Sequence, residues 1–226
     1  MRWFTGEVEW PLFDGLPEAQ RRGLAEASRR RRFARGEVLF HEGDAADSLH
    51  QVSSGAVAVR VTTAAGDLCM LDVIGPGRVF GELGLLVTHR TRTATAVALA
   101  ATETRSLPYS AFDGLRRADP SVDRLLTQLL ADHVDRLSHR LLEALYVSVD
   151  RRVARRLLDL VEVYDDGGDG PVRIPLAQRE IAELAGGSRA TVNEVLGRLA
   201  DQGAVSRGRG ELAVLDRAVL TRRAGL

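Results

Sequence analysis

Lysine is absent from this 226-residue chain: all 31 basic residues are arginine, set against 31 acidic residues. Without lysine there is no Schiff-base amine and no P-loop lysine, so two broad enzyme classes lose their key residue. Cysteine is almost absent. Cys69 stands alone, so a single chain cannot carry a disulfide framework, a four-cysteine iron–sulfur cluster or a cysteine-based structural zinc site. A reducing cytoplasm is the expected compartment. Long apolar runs are missing too: no stretch approaches the roughly 18 residues of a membrane helix. Met1–Trp10, with Arg2, Glu7 and Glu9, lacks the apolar segment of a secretory signal. The net charge is zero, which excludes a chain basic along its whole length but leaves room for a local basic face. The histidines, at 41, 50, 89, 133 and 139, show no paired spacing for a metal or a haem. Each is expected at the surface or in a hydrogen-bonded structural role.

Apolar residues make up 45% of the chain and charged residues 27%, the balance of a soluble globular protein with one large domain or two ordinary ones. The two halves differ in texture. Between Gly36 and Pro108 the chain runs in short pieces punctuated by glycine: Glu37–Phe40, Ala56–Val61, Cys69–Ile74, Ala94–Leu99 and Thr102–Leu107. Turn signals part them at Glu42-Gly43-Asp44, Ala65-Gly66-Asp67 and Gly75-Pro76-Gly77. Strands at this spacing predict a β-barrel or jelly roll. The arginine run Arg29–Arg32 reads as a solvated helix end.

From about Ser121 to Val147 the period changes. Leu130, Val134, Leu137, Leu141 and Ala144 recur at spacings of 4, 3, 4 and 3, a heptad seam on one long helix. Leu126, Leu129, Leu142 and Leu145 widen the apolar face, so a dimer seam and an ordinary buried helix are both open. A helix at Asp150–Tyr164, an acidic glycine-rich loop at Asp165–Gly170 and an extended piece at Val172–Ile174 follow. Two short helices then flank Gly186-Gly187, with Ser188 as N-cap of the second, Arg189–Asp201. The second helix turns Val192, Val195, Leu196 and Leu199 to one side and Arg189, Ala190, Asn193, Glu194 and Arg198 largely to the other. A hairpin tipped by Arg207-Gly208-Arg209-Gly210 comes next. The pattern is a winged helix–turn–helix, with a polar helix face shaped for the major groove and a wing whose Arg207 and Arg209 suit phosphate contacts.

The second chemical signal is Phe80-Gly81-Glu82-Leu83-Gly84-Leu85-Leu86 followed by Arg90-Thr91-Arg92-Thr93-Ala94. A glycine turn frees backbone N–H groups, a carboxylate accepts from sugar hydroxyls, and an arginine grips a phosphate. Gly81, Glu82, Arg92 and Thr93 supply that set. Gly75-Pro76-Gly77 begins like a dinucleotide fingerprint, but Phe80 and the all-β context exclude it.

The order of barrel, glycine cassette, long helix and winged helix–turn–helix resembles the cyclic-AMP receptor protein/FNR family of bacterial transcription regulators. The resemblance covers Phe13 to Val214. Its most specific parts are Gly81-Glu82-Leu83 with Arg92-Thr93-Ala94 eleven residues on, and Arg179–Ala182 leading to Ser188-Arg189-Ala190-Thr191-Val192. It implies an α+β chain: a cyclic-nucleotide-binding jelly roll over residues 10–119, a dimerisation helix over 120–147 and a DNA-binding domain over 148–226. It further implies a non-enzymatic homodimer on a pseudo-palindromic operator in double-stranded DNA, with cyclic AMP as the expected effector, RNA polymerase as a further partner, and no metal, haem, iron–sulfur cluster or membrane.

By resemblance, Glu82 is the ribose ligand, Gly81 and Leu83 give backbone contacts, and Arg92 with Thr93 holds the cyclic phosphate. Gln178, Ser188, Arg189, Ala190, Thr191, Asn193, Glu194, Arg198, Arg207 and Arg209 face DNA, with Arg189 bidentate to a guanine. Two departures stand out. Where cyclic-AMP-responsive members place two adjacent hydroxyls by the adenine, this chain has Leu137-Ser138. On the recognition helix, Ala190 replaces a frequent glutamate and Glu194 a basic residue, so the operator should differ from the best-known one. A different effector, ligand-independent DNA binding, and a cyclic-nucleotide protein acting through protein partners stay open. A cupin-type metal enzyme is disfavoured, because His41, His50 and His89 do not cluster along the chain.

Overall fold

The computed structural model describes Trp10, residues 13–168 and residues 170–226; Met1–Glu9 and Asp169, read above, lie outside them. The chain divides into two compact units. The first comprises residues up to Val59 and Ile74–Leu137, the second Arg60–Val73 and Ser138–Leu226.

Helix α1 (Glu18–Ala27) leads into strands β1 (Arg29–Phe33), β2 (Val38–Phe40), β3 (Ser48–Ser54), β4 (Val57–Thr62), β5 (Leu68–Ile74) and β6 (Val79–Phe80). A short helix α2 (Glu82–Leu86) precedes β7 (Thr95–Ala98) and β8 (Thr102–Pro108), and α3 (Tyr109–Ala118) and α4 (Ser121–Tyr146) follow. The strands form two four-stranded sheets, ordered β1-β8-β3-β6 and β2-β7-β4-β5, the two layers of a jelly roll. In the first sheet β3 lies between β8 and β6, so His50 faces Ser106 on one side and Phe80 on the other. Val52, Val57, Ile74, Phe80 and Ala96 fill the space between the sheets. A second cluster of Phe13, Leu16, Leu24, Leu49, Leu107, Phe112, Val122 and Leu126 seats α1, α3 and the start of α4 on the barrel.

The Arg29–Arg32 run is a strand, not a helix end. β1 pairs antiparallel with β8. Side chains two apart on a strand share a face, so Arg30 and Arg32 both reach Glu103, while Arg31 lies 5.4 Å from the Phe33 ring. At a sheet edge a charged strand is tolerated and blocks edge-to-edge association.

The second unit holds the end of α4, α5 (Val149–Tyr164), β9 (Val172–Ile174), α6 (Gln178–Ala185), α7 (Arg189–Asp201), β10 (Val205–Gly208), β11 (Glu211–Val214) and α8 (Arg217–Ala224). Its sheet runs β10-β11-β9. Val153, Leu157, Ile174, Ile181, Val192, Leu196, Leu212 and Leu220 are buried and form its core. The wing turn is tighter than expected. Arg207 and Gly208 belong to β10, paired with Leu212 and Glu211, and the tip is Arg209-Gly210.

Along α4 only Val122 and Leu126 are buried. Val134 (62%), Leu137 (43%), Leu141, Leu142, Leu145 and Tyr146 are exposed, a stripe of large apolar side chains along one helix.

The turn after β6 depends on Gly84. A Cβ there would lie 2.8 Å from the Ala46 methyl and 2.9 Å from the Thr91 carbonyl oxygen. In helical position alanine is preferred by about 1 kcal/mol, but backbone overlap outweighs that gain. Gly84→Ala is expected to destabilise the protein by about 1–3 kcal/mol in urea unfolding. Unchanged or increased stability would show that the Thr91 segment yields freely.

Candidate ligand pocket and DNA interface

The first candidate site is built on a chain reversal. Gly81 has φ +86°, the left-handed conformation that glycine adopts at no steric cost, and it is the N-cap of α2. The expected glycine-rich turn is therefore a single left-handed residue opening a short helix. A side chain at Gly81 is also excluded by proximity, since a Cβ would meet Arg92 Nη1 at 2.7 Å. Arg92 enters from the segment before β7, its own backbone N–H donating to the Asp44 carbonyl at 2.8 Å and its carbonyl accepting from Gly43 N–H at 2.9 Å.

The Arg92 side chain is buried, with a relative exposure of 3%. Nη1 donates to the Ser48 carbonyl at 2.8 Å and the Gly81 carbonyl at 3.2 Å. Nη2 donates to Asp47 Oδ1 and to Ser48 Oγ, both at 3.1 Å. The guanidinium lies 4.1 Å from the Phe40 ring centroid, a cation–π contact. Glu82 is buried and Thr93 exposed; Leu83 is half-buried. The structure thus brings Gly81 and Arg92 into direct contact. Leu137 and Ser138, both exposed on α4, take no part in the bonding around Arg92.

Sequence reasoning missed Phe40, Asp47, Ser48 and His50. Asp47 and Ser48 sit more than 40 residues from Arg92 and carry no local motif. His50 is buried, stacked on Phe80 at 5.2 Å, with Nε2 3.1 Å from Ser48 Oγ. Its Nδ1 has no hydrogen-bond partner, so the expectation of a fully bonded structural histidine holds for one ring nitrogen only. Burial, then the positive charges of Arg92 and Arg31, push its pKa down to about 3.

The second candidate site is the helix–turn–helix. Gly186, left-handed at φ +61°, ends α6, and Ser188 Oγ accepts the Thr191 N–H at 3.1 Å as N-cap of α7. The Ser188 and Thr191 hydroxyls also lie 2.8 Å apart. Val192, Val195, Leu196 and Leu199 are buried, and Arg189, Ala190, Thr191 and Glu194 are exposed. Gln178, at the start of α6, is half-buried. On the wing, Arg207 and Arg209 are exposed. Two residues grouped with them differ. Arg198 forms an ion pair with Asp150 at the start of α5, and Asn193 is half-buried, its Oδ1 without a hydrogen-bond partner.

One residue that no motif announced ties this unit together. Arg152, on the first turn of α5, donates from Nη1 to the carbonyls of Ala144 and Val147, each at 3.2 Å. Its Nε donates to Ala185 O at 3.0 Å and Nη2 to Gly186 O at 2.8 Å. The carbonyls at a helix C-terminus have no partner within the helix and carry its partial negative charge. One guanidinium therefore caps the ends of both α4 and α6 and fixes the turn before the recognition helix. Among the described residues, no cluster of three or more His, Cys, Asp or Glu is placed to hold a metal ion, and no helix is long and apolar enough to cross a membrane.

His50 gives the ligand unit a pH dependence. In the unfolded chain it takes up a proton below pH 6.5, in the folded chain only near pH 3. Below pH 6.5 the unfolded state binds more protons, so stability falls as pH drops toward 3. At pH 5 this group alone accounts for a loss on the order of 2 kcal/mol. His50→Phe, which keeps the ring stack, is expected to lose less stability between pH 7 and pH 5 than the parent in paired urea titrations. Equal losses would show that His50 is not the titrating group.

Residues 30–119 match the cyclic nucleotide-binding domain, and residues 151–223 match the Crp-like helix–turn–helix domain. The chain is 35% identical over 210 residues to the cyclic AMP receptor protein of Thermus thermophilus, covering 93% of this chain and 94% of that one. It is 32% identical over 219 residues to the CRP-like cAMP-activated global transcriptional regulator of Mycobacterium tuberculosis, covering 94% and 96%. Among solved structures, a CRP-family transcriptional regulator from Thermus thermophilus superposes with a TM-score of 0.72 at 26% identity, covering 87% of this chain and 97% of that one. The Thermus thermophilus catabolite activator protein gives 0.53 at 34% identity, covering 95% and 98%. With a ligand barrel, a winged helix–turn–helix and relatives of this similarity along nearly its whole length, the chain belongs to the CRP/FNR family of DNA-binding transcription regulators.

Proposed function

We propose that this regulator works as a homodimer whose DNA binding is controlled by a cyclic nucleotide, cyclic AMP being the expected effector. The observation that carries the ligand reading is the Arg92 guanidinium, buried against the left-handed turn at Gly81. A buried permanent cation beside a loop of backbone amides is a receptor for a phosphate. In this reading Arg92 and Thr93 hold the cyclic phosphate, Gly81 and Leu83 contribute backbone contacts, and the Glu82 carboxylate accepts from the ribose hydroxyl. Leu137 and Ser138 stand where the family reads adenine. The relatives named for cyclic AMP support that effector.

The exposed stripe of α4 supports the dimer: Val134, Leu137, Leu141 and Ala144 keep the 3-4-3 spacing of a seam. Two-fold symmetry then sets two recognition helices about 34–36 Å apart, one DNA turn, over a pseudo-palindromic operator. Arg189, with Ser188, Ala190, Thr191, Asn193 and Glu194, reads or lines the groove, and Gln178, Arg207 and Arg209 meet phosphates. Arg198, paired with Asp150, supports the helix from its far side. Such a regulator works in the cytoplasm, with RNA polymerase within reach on the same DNA.

Three measurements test this. Calorimetric titration with cyclic AMP and cyclic GMP should show binding, and Arg92→Ala should cost a charge-assisted contact of about 1.5–3 kcal/mol, roughly tenfold to hundredfold in affinity. Equal affinity in parent and variant would remove Arg92 from the site. Val134→Glu should bring like charges together at the seam and shift the protein toward monomer in sedimentation; a parent that is already monomeric at about micromolar concentration would refute the seam. Arg189→Ala should lower operator affinity by about 1–3 kcal/mol and relax selectivity at one guanine per half-site. Arg207→Ala should instead weaken all DNA alike and reduce the salt slope by about one. Equal losses on operator and random DNA in both variants would show that α7 does not read bases.

A further inference from the structure

Arg92 is surrounded by acceptors of unequal kind. The Ser48 and Gly81 carbonyls and the Ser48 hydroxyl are neutral. Among the described residues, Asp47 is the carboxylate that touches the guanidinium, 3.1 Å from Nη2, and its side chain is 83% exposed where that of Arg92 is 3% exposed. Asp44, the other carboxylate acting on Arg92, is committed to its own turn, with Oδ2 accepting His41 N–H at 2.8 Å. The two Nη1 bonds anchor the guanidinium to the barrel backbone. On the opposite edge, Nη2 is held by Asp47 and Ser48, and Nε is buried with no partner. That edge, Nη2 with Nε, is the one that receives two oxygens of a single anion in a fork. Asp47 fills half of it.

We propose that Asp47 is an internal stand-in for the ligand phosphate: it neutralises Arg92 in the ligand-free protein, must release it when a cyclic nucleotide enters, and so sets ligand affinity. The inference rests on the reading that an anionic ligand meets Arg92. Its physical basis is competition for one cation. A buried guanidinium without a counter-charge is strongly unfavourable, which gives the ligand-free protein a use for Asp47. Two anions on one guanidinium repel, so part of the phosphate's attraction is consumed in displacing the carboxylate. Being exposed, Asp47 can swing into water, while Ser48 and Gly81 keep Arg92 in place. Ser48 Oγ also donates to Asp47 Oδ1 at 2.7 Å and thereby holds the carboxylate in position. Burial pulls the Asp47 carboxyl upward, but the Ser48 hydroxyl and Arg92 outweigh it and hold it below the ordinary carboxylate value, so the stand-in is charged at neutral pH.

The test is calorimetric titration of cyclic AMP into the full-length parent, Asp47→Asn and Asp47→Glu, with thermal melts of each protein alone and with saturating nucleotide. Asp47→Asn keeps the shape and the Ser48 contact but loses the charge. It should bind cyclic AMP about tenfold more tightly, the difference between a charged and a neutral hydrogen bond. It should melt lower than the parent without ligand and gain more from ligand. Asp47→Glu restores a carboxylate and should bind close to the parent. Parent binding with equal or weaker binding to Asp47→Asn overturns the proposal and leaves the ligand reading intact. Tighter binding by Asp47→Glu as well as Asp47→Asn overturns it too, since the effect would not be one of charge. No binding of cyclic AMP to any of the three removes the ligand reading and the proposal with it.

Discussion

A guanidinium that stays charged inside a protein dictates the design of everything around it. Arg92 is that group here. Its position next to Gly81 requires glycine, because any Cβ would collide with Nη1. Its donors require carbonyls turned toward it at Ser48, the first residue of β3, and at Gly81, the N-cap of α2. Its flat face is covered by Phe40, and its charge adds to burial in depressing the protonation of His50 two residues beyond Ser48. The small, polar and aromatic residues that crowd this corner of the barrel are answers to one constraint, the burial of a permanent cation.

In the second unit the same side chain does different work. Arg152 collects four carbonyl oxygens from two helix ends, and Arg156 and Arg155 divide the two oxygens of Glu143 at 2.6 and 2.9 Å. Lysine could not replace these residues, since a point-like ammonium lacks the planar spread of five donors. A chain without lysine thus builds internal joints from the same group that it exposes on α7 and the wing, at Arg189, Arg207 and Arg209. Arg198 illustrates the division. It lies on the recognition helix and is basic, yet its charge is matched by Asp150, so basic residues on that helix are not equivalent.

The fold was legible wherever a local rule governs it. Strands β2, β4, β5, β7 and β8 follow from short pieces between turn residues, largely apolar in all but β8, and α4 and α7 from their periodicity and, for α7, its serine cap. β1 was read as a helix end because four arginines carry no apolar alternation; only Glu103, more than 70 residues on, makes the alternation visible. β3 escaped as well. Its Ser48, Leu49, His50, Gln51 and Val52 are all buried in succession, so burial on both faces erases the period of two, and three of the five are polar. At the candidate ligand site, Gly81 and Arg92 are legible because they stand eleven residues apart, on either side of the short helix α2. Asp47, Ser48 and His50 belong to the site only through pairing of distant strands.

The helix that joins these features also bounds how far a ligand can act. The division between the two compact units falls between Leu137 and Ser138, within an unbroken helix of 26 residues. A ligand shifts an equilibrium only by the difference in its affinity for the two states. A hydroxyl at position 137 would give a purine a bond to make in one state and lose in the other. Leucine offers none, and its side chain is 43% exposed on the stripe where a second helix would lie. Burying it there stabilises the paired helices by about 1–2 kcal/mol whether or not a ligand is present. The substitution therefore removes a ligand-dependent contribution and adds a ligand-independent one. In the reading proposed above, what leverage a cyclic nucleotide keeps comes from the barrel corner, from the exchange of one anion for another on Arg92.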